Sequence, residues 1–284
     1  MHLAKVKDHC FAPVEHRFDF RDTILYALGL GFGSDPVDPA ELPFVYEDGL
    51  KAVPSLCVVL AHPGFWAKRP EFGIDWLRIL HGEQSFEIHK PLPAAGVVHG
   101  EYEIEALEDK GAGKGAILHQ AKRLRDDTGD LVATVRSVLF LRGDGGSGGF
   151  GTPPATPGVL PDGLPDAVVD LPTLPQQALI YRLSGDYNPI HADPAAAYAA
   201  GFDRPILHGL CTMGIATRAL LRARAGNDPA RLTSMFVRFS RPVFPGETIV
   251  TEIFDQESGV VRFRCRSKER DVVVLDRGHA VITG

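Results

Sequence analysis

Between Tyr181 and Met213 the chain reads YRLSGDYNPIHADPAAAYAAGFDRPILHGLCTM. This places a carboxylate, an amide, an imidazole and a helix-starting glycine within two dozen residues. Asp186 and His191 can orient a water between them and share its proton transfers, one as base and the other as acid. Asn188 sits between them and can orient either partner. Gly209 has no Cβ, so a ligand oxygen can approach its backbone N–H closely. At a helix start that N–H lies at the positive end of the dipole. A preorganised donor of this kind stabilises an oxyanion by roughly 3–4 kcal/mol. The combination points to activated water attacking beside a carbonyl whose oxygen becomes negative. Taken singly, Asp186 and Asn188 are ordinary turn residues and His191 an ordinary interior histidine. Together they argue for chemistry, although spacing alone leaves the reaction open.

The elements that carry these groups follow from the local sequence. Gly185, Asn188, Pro189 and Pro194 keep the Asp186–His191 run off regular helix. Asp193 and Pro194 supply a cap and first turn for a short helix over Ala195 to Ala200, which Gly201 closes. After Pro205 a longer helix is predicted over Ile206 to Ala225. His208 and Gly209 fall in its first turn, and Leu207, Leu210, Met213, Ile215, Leu220 and Leu221 are its apolar members. Arg218, Arg222 and Arg224 lie toward its C-terminal end, where cations complement the dipole.

SGDYNPIHADP followed by AGFDRPILHGLCTMG resembles the hydratase motif of the MaoC-like (R)-specific enoyl-CoA hydratases, and in particular the hydratase 2 domain of peroxisomal multifunctional enzymes. The resemblance continues through DTILYALGLG, FVYEDGLKAVPS, LHGEQSFEIHKPLP, LEDKGAG, GSGGFG and RFSRPVFPGE, in order, over most of the chain. It implies an α+β double hot-dog fold: two curled antiparallel sheets, each around a helix, with the N-terminal helix reduced. It also implies reversible hydration of a trans-2-enoyl-CoA to an (R)-3-hydroxyacyl-CoA.

Residue by residue, the resemblance implies that Asp186, Asn188, His191 and Gly209 form the catalytic set. Tyr187, Pro189 and Ile190 of the same motif are expected to contact substrate. Glu47 matches the glutamate of an FLYEG-type segment and is expected to face the substrate and help hold the water. His81 and Gly82 of HGEQ, Lys110 of DKG and Phe239 of the RF segment are expected substrate contacts. Arg241 is a further candidate for the coenzyme A phosphates. The resemblance implies no cofactor beyond the coenzyme A carried by the substrate, no metal, and a homodimer. Space left by the missing N-terminal helix is expected to take a long acyl tail.

Composition sets the bounds. A chain of 284 residues that is 44% hydrophobic can bury a large core and is comfortable for two small domains. Its net charge of −6 gives no general attraction to nucleic acid or anionic membranes. The cysteines, Cys10, Cys57, Cys211 and Cys265, show no CxxC or zinc-ligand spacing and read as reduced thiols of a cytoplasmic protein. No apolar run approaches the ~20 residues of a membrane span. The first residues, MHLAKVKDHC, lack the apolar core of a signal peptide, and AVITG is no peroxisomal tripeptide. No stretch resembles the dehydrogenase or carrier domains of multifunctional relatives, so the chain is expected to act alone.

Along the chain, Thr23 to Leu28 is predicted as a helix capped by Asp22 and stopped by Gly29. Leu56 to Ala61 can be read as an apolar strand or a buried helical turn. GLGFGS follows a helix rather than a strand and contains no GxGxxG, which excludes a nucleotide loop. Strands are predicted at Gln84 to His89, Val97 to Leu107, Gly115 to Arg125 and Leu131 to Leu141. A similar set follows at Met235 to Arg241, Thr248 to Phe254, Val260 to Ser267 and Val272 to Ile282. The repeated element order reads as a degenerate duplication. Its parts are an N-terminal domain 1–142, a Gly/Pro-rich linker 143–165, and a C-terminal domain 166–284. The linker is expected to be flexible in its glycine half and stiffer in its proline half.

Two other classes of function fit the same sequence. One is a different enzyme on this scaffold, either a thioesterase or an acyl-carrier-protein-linked (3R)-hydroxyacyl dehydratase. The intact D-x-N-x-x-H spacing speaks against the thioesterase. The other is a non-catalytic acyl-CoA-binding partner subunit, against which the retention of every motif residue argues.

Overall fold

The computed structural model describes all 284 residues. A short helix α1 (Leu3–Lys7) leads to strand β1 (Val14–Phe18) and helix α2 (Phe20–Gly29). After a series of 3-10 turns come β2 (Ile79–Ile88), β3 (Gly96–Asp109), β4 (Ala116–Asp126) and β5 (Leu131–Leu141). The second half runs β6 (Ala167–Pro172), α3 (Gln177–Tyr181), α4 (Pro194–Ala199), α5 (Gly209–Arg224), then β7 (Leu232–Phe239), β8 (Thr248–Asp255), β9 (Val260–Ser267) and β10 (Val272–Ile282).

All ten strands join one antiparallel sheet in the order β1-β3-β4-β5-β2-β7-β10-β9-β8-β6. Read from each edge inward, the halves are β1-β3-β4-β5-β2 and β6-β8-β9-β10-β7, the same order twice. The duplication suggested by element order is therefore a topological fact. The halves meet where β2 pairs with β7, Ser85 opposite Phe236 at the centre of the register. This is the double hot-dog arrangement, in which some strands alternate in burial as one-sided antiparallel strands do. Along β9, for example, Val261, Phe263 and Cys265 are buried while Arg262, Arg264 and Arg266 face outward.

Helix α5 fills the C-terminal half. Every residue from Cys211 to Leu221 is buried, because the sheet covers one side and α2 with the 3-10 turn Pro54–Val58 covers the other. Polar members are neutralised locally: Thr212 and Thr217 donate to the carbonyls of His208 and Met213, four residues back. Gly214 is required by packing, since Leu30 occupies the space where its Cβ would sit. Arg218 does more than complement the helix dipole. Its guanidinium is buried and makes a two-pronged ion pair with buried Glu41, at 2.6 and 2.7 Å, tying the N-terminal half to the central helix.

The N-terminal half has no counterpart of α5. Leu56 to Ala61 forms neither a strand nor a long helix; Pro54–Val58 is a 3-10 turn. One hydrophobic core nevertheless runs through both halves, from Phe18 and Leu124 to Phe263 and Ile282. A smaller cluster around Trp66, Phe72 and Leu118 closes the outer end of the N-terminal half.

Several expectations are corrected. The cap of α2 is Asp19, not Asp22. Asp19 accepts from the N–H groups of Arg21 and Asp22, and Asp22 reaches back to the Asp19 N–H to complete a capping box. The edge strands β1 and β6 were not anticipated. The glycine run 143–149 is not a free tether. The Asp109 carboxylate accepts from the N–H groups of Gly111, Gly146 and Gly148, and Phe150 pairs with Leu107.

Candidate active site

Asp186 and His191 sit on a loop built from two 3-10 turns, Arg182–Ser184 and Pro189–His191. Gly185, at φ 119°, turns the chain between them in a conformation that favours glycine. Asn188 shapes this loop from within. Its side-chain oxygen accepts from Ile190 N–H at 3.3 Å, and its own N–H donates to the Asp186 carboxylate at 3.1 Å. Asn188 therefore orients the acid through its main chain while its side chain caps the turn that carries the imidazole.

His191 is buried, and its Nδ1–H donates to the Ile206 carbonyl at 2.8 Å. A carbonyl can only accept, so in the neutral ring Nε2 carries the free lone pair. Burial holds this imidazole below its ordinary value; the Ile206 bond and the Asp186 charge oppose that without reversing it. At neutral pH His191 is accordingly a neutral proton acceptor.

His208, the N-cap of α5, completes the cluster. Its ring stacks on His191 with centroids 3.7 Å apart, and its Nε2–H donates to the main-chain carbonyl of Asp186 at 3.1 Å. Burial first and His191 second push it down to about 4, so it is neutral. The ligating atoms of Asp186, His191 and His208 all lie within 4.8 Å of one another, a span that one bound water can bridge.

Gly209 opens α5, and no side chain caps the helix, so its first N–H groups stay free for a ligand. A Cβ at Gly209 would lie 3.0 Å from Cε1 of Phe239, the last residue of β7. Phe239 in turn packs edge-on against His81, ring centroids 4.8 Å apart. His81 reaches this position because the β2–β5 register slips by one residue at Gly82, a bulge that re-aims the side chain. Its Nε2 pairs with Gln84 at 3.0 Å. Gly209, Phe239 and His81 thus share a wall, and the charge of Asp186 acts on His81 across the opening.

The remaining expected residues are not drawn into this cluster. Glu47 occupies an exposed turn with no hydrogen bond or ion pair, and the carboxylate felt by the site histidines is Asp186. Lys110 sits at the β3–β4 hairpin, where its ammonium pairs with Glu108 at 2.8 Å. Arg241 is exposed just beyond β7. Tyr187 is exposed with the Arg182 guanidinium 5.1 Å over its ring, and Pro189 and Ile190 line the turn beside it.

Sequence reasoning missed one participant: His208 is read only as a helix-start residue, although its place directly before Gly209 is the available signal.

Comparison with known proteins places the chain in a family. Residues 16–143 match the MFE-2 hydratase 2 N-terminal domain, and residues 158–277 match the MaoC like domain. The chain is 43% identical to 3-hydroxyacyl-thioester dehydratase Y of Mycobacterium tuberculosis, over 94% of this chain and 93% of that protein. It is 37% identical to the peroxisomal enoyl-CoA hydratase 2 of Arabidopsis thaliana, over 97% and 94%. Among solved structures, a MaoC-like dehydratase from Phytophthora capsici superposes with a TM-score of 0.87 at 38% identity, covering 100% of this chain and 99% of that one. The full-length peroxisomal multifunctional enzyme type 2 of Drosophila melanogaster superposes at 0.81 with 34% identity, over 95% of this chain and 48% of the larger one. With both halves matched in order and relatives of more than 30% identity covered almost end to end, the chain belongs to the MaoC-like hydratase 2 family of hydro-lyases.

Proposed function

We propose that the protein reversibly hydrates trans-2-enoyl-CoA to (R)-3-hydroxyacyl-CoA. The observation that carries this reading is the fixed tautomer of His191, a ring nitrogen of which lies within 4.8 Å of a carboxylate oxygen of Asp186. Both groups are acceptors, so a water between them donates both hydrogens and turns its own lone pair outward. That lone pair attacks C3 of the enoyl thioester and forms the C–O bond. The C2=C3 electrons shift onto the thioester oxygen, where the Gly209 N–H and the α5 dipole stabilise the negative charge. The proton released from the water to the dyad is then delivered to C2 as the C=O reforms. Net, one water adds across the double bond, and the dehydration uses the same groups in reverse.

The names of relatives support this chemistry in both directions: one is called a 3-hydroxyacyl-thioester dehydratase and another an enoyl-CoA hydratase. The test is turnover of crotonyl-CoA, followed by loss of the ultraviolet absorbance of the conjugated thioester, with chiral analysis of the product. Asp186→Asn keeps the Asn188 N–H partner and removes the charge. A folded variant with activity lowered at least ~10³-fold is expected. Near-normal turnover in that variant, or an (S) product from the unaltered protein, would refute the reading.

A further inference from the structure

We propose that Tyr181 is a positioning residue for the dyad, holding His208 in one tautomer through a single internal water that donates to His208 Nδ1. The inference rests on the hydratase reading for its kinetic arm, since it takes Asp186 and His191 to be the reacting pair.

Eight buried side-chain nitrogen and oxygen atoms have no hydrogen-bond partner in the chain, and four of them gather at the loop that carries the dyad. Tyr181 Oη, Arg182 Nε and Ser184 Oγ lie on one turn of chain just before Asp186. The fourth, His208 Nδ1, belongs to the ring packed against Tyr181. Folded chains leave few buried polar atoms unpaired, and internal water is the usual partner where the chain supplies none. Four in one place therefore mark a hydrated site.

Tyr181 and His208 are 0% and 1% exposed, so bulk solvent reaches neither. Their ring centroids are 5.0 Å apart, and His208 in turn stacks on His191 at 3.7 Å. Gly29 lets helix α2 press directly on Tyr181, where a Cβ would come within 3.3 Å of the tyrosine Cα. The phenol ring is thus held between α2 and the imidazole.

The bonding of His208 decides what is missing. Its Nε2–H is spent on the Asp186 carbonyl at 3.1 Å and the ring is neutral, so Nδ1 carries a lone pair that needs a donor. No hydroxyl of the chain supplies one. Tyr26, whose ring lies 5.8 Å from that of Tyr181, gives its proton to Ser55 Oγ at 3.0 Å, and the Tyr181 hydroxyl makes no bond to Nδ1. One water between them gives a hydrogen to Nδ1 and pairs with the Tyr181 hydroxyl. With Nδ1 so occupied, the ring is kept from the other tautomer, which would set the Nε2 lone pair against the Asp186 carbonyl oxygen. The hydroxyl acts through water and imidazole on the placing of the carboxylate.

Nuclear magnetic resonance of the protein labelled with 15N-histidine reads the tautomer without any turnover. His208 is expected to be protonated on Nε2, with Nδ1 at the shift of a nitrogen that accepts a hydrogen bond. In Tyr181→Phe, which removes one oxygen, that shift should move to the value of a bare lone pair, or the proton should move to Nδ1. The kinetic arm is a double-mutant cycle on crotonyl-CoA. Tyr181→Phe is expected to lower kcat about 3- to 10-fold with KM little changed, and to have no further effect in a His208→Ala chain, which has no Nδ1 to hold. A tyrosine needed only for packing would lower both backgrounds alike. An unchanged Nδ1 shift in Tyr181→Phe, or equal losses in the two backgrounds, overturns the proposal. So does a melting temperature that rises with kcat intact, the result expected of an oxygen buried dry. If the unaltered protein fails to hydrate crotonyl-CoA, the hydratase reading falls and the nitrogen spectra alone decide the water link.

Discussion

The Nε2–H of His208 donates to the main-chain carbonyl of Asp186 at 3.1 Å, so the N-cap residue of α5 also fixes the height of the carboxylate proposed to be catalytic. The same ring stacks on His191 at 3.7 Å. One side chain therefore links the acid, the imidazole and the helix whose N–H is to meet the thioester oxygen. His208 acts through the others and is a positioning residue. His208→Ala is expected to lower kcat by about 10²-fold, the cost of a small misplacement of reacting groups, with KM changed much less. His208→Gln, which retains an N–H donor, should recover part of the loss. Steady-state kinetics on crotonyl-CoA separates the two terms, and equal effects of Ala and Gln would remove the hydrogen bond from the argument.

Acid should act on this site before it unfolds the protein. In the proposed mechanism the neutral form of His191 is the competent one, and burial keeps its pKa below the ordinary 6.5. A kcat/KM profile is expected to be level through neutrality and to fall only below the usual histidine range, on the acid side. An alkaline limb near neutrality, with activity lost as pH rises, would show that the imidazole works in its charged form.

Stability carries its own pH dependence. His208 has a folded value of about 4 against an ordinary 6.5, so the unfolded chain binds more protons between those values. The folded state is then at full strength above about 6.5 and weakens as pH drops toward 4. The contribution of this fully buried group is at most about 3 kcal/mol over that window. Urea denaturation at pH 7.5 and pH 5 measures the slope, and His208→Phe should flatten it.

The buried Glu41–Arg218 pair predicts an asymmetry. Removing one partner leaves an uncompensated charge in the core, and Glu41→Gln should cost about 3–5 kcal/mol. The double replacement Glu41→Leu with Arg218→Met should cost much less than Glu41→Gln alone, because no charge is left behind. Chemical denaturation of both variants provides the comparison, and additive losses would show that the ions contribute separately.

Much of this arrangement was legible in the sequence wherever a pattern is local. Val260 to Ser267 alternates cleanly, and it, Leu131 to Leu141 and Val272 to Ile282 fold with the expected bounds. The cap at Asp193 likewise follows from residues a few positions away. What escaped depends on partners far along the chain. Lys122 sits in the charged run KRLRDD and looks solvated, yet it is buried against carbonyls more than sixty residues earlier. β1 and β6 are short edge strands whose existence depends on β3 and β8 being there to pair with them. The joining of β2 to β7, which makes two sheets one, leaves no trace in spacing because antiparallel register imposes none across such a distance.

Lys122 offers a stability test of that long-range kind. Its ammonium satisfies three main-chain carbonyls of the Cys57–Leu60 turn, and burial pulls it down to about 7. Lys122→Met keeps the length and apolar stem but orphans those acceptors. A loss of about 2–4 kcal/mol is expected, with faster amide exchange at residues 57–62 than elsewhere. Uniform exchange changes would mean that the lysine supports the whole fold rather than this turn.

Gly209 and Phe239 test the oxyanion wall most directly. The two are in such contact that a methyl group on residue 209 would sit 3.0 Å from the aromatic ring edge. Gly209→Ala preserves the backbone N–H and the helix, and alanine is the better helix former, so any defect must come from crowding. If Phe239 alone suffers, the ring shifts, and Phe239→Leu in the same chain should restore activity together with thermal stability. If the thioester must pass through the space that the methyl group fills, the second substitution restores stability while kcat/KM stays about 10²-fold down. The second outcome is expected, because the free first-turn N–H groups of α5 open onto that contact and no side chain caps them. Measuring melting temperature and turnover on the single and double variants distinguishes a glycine kept for packing from one kept for a ligand's approach.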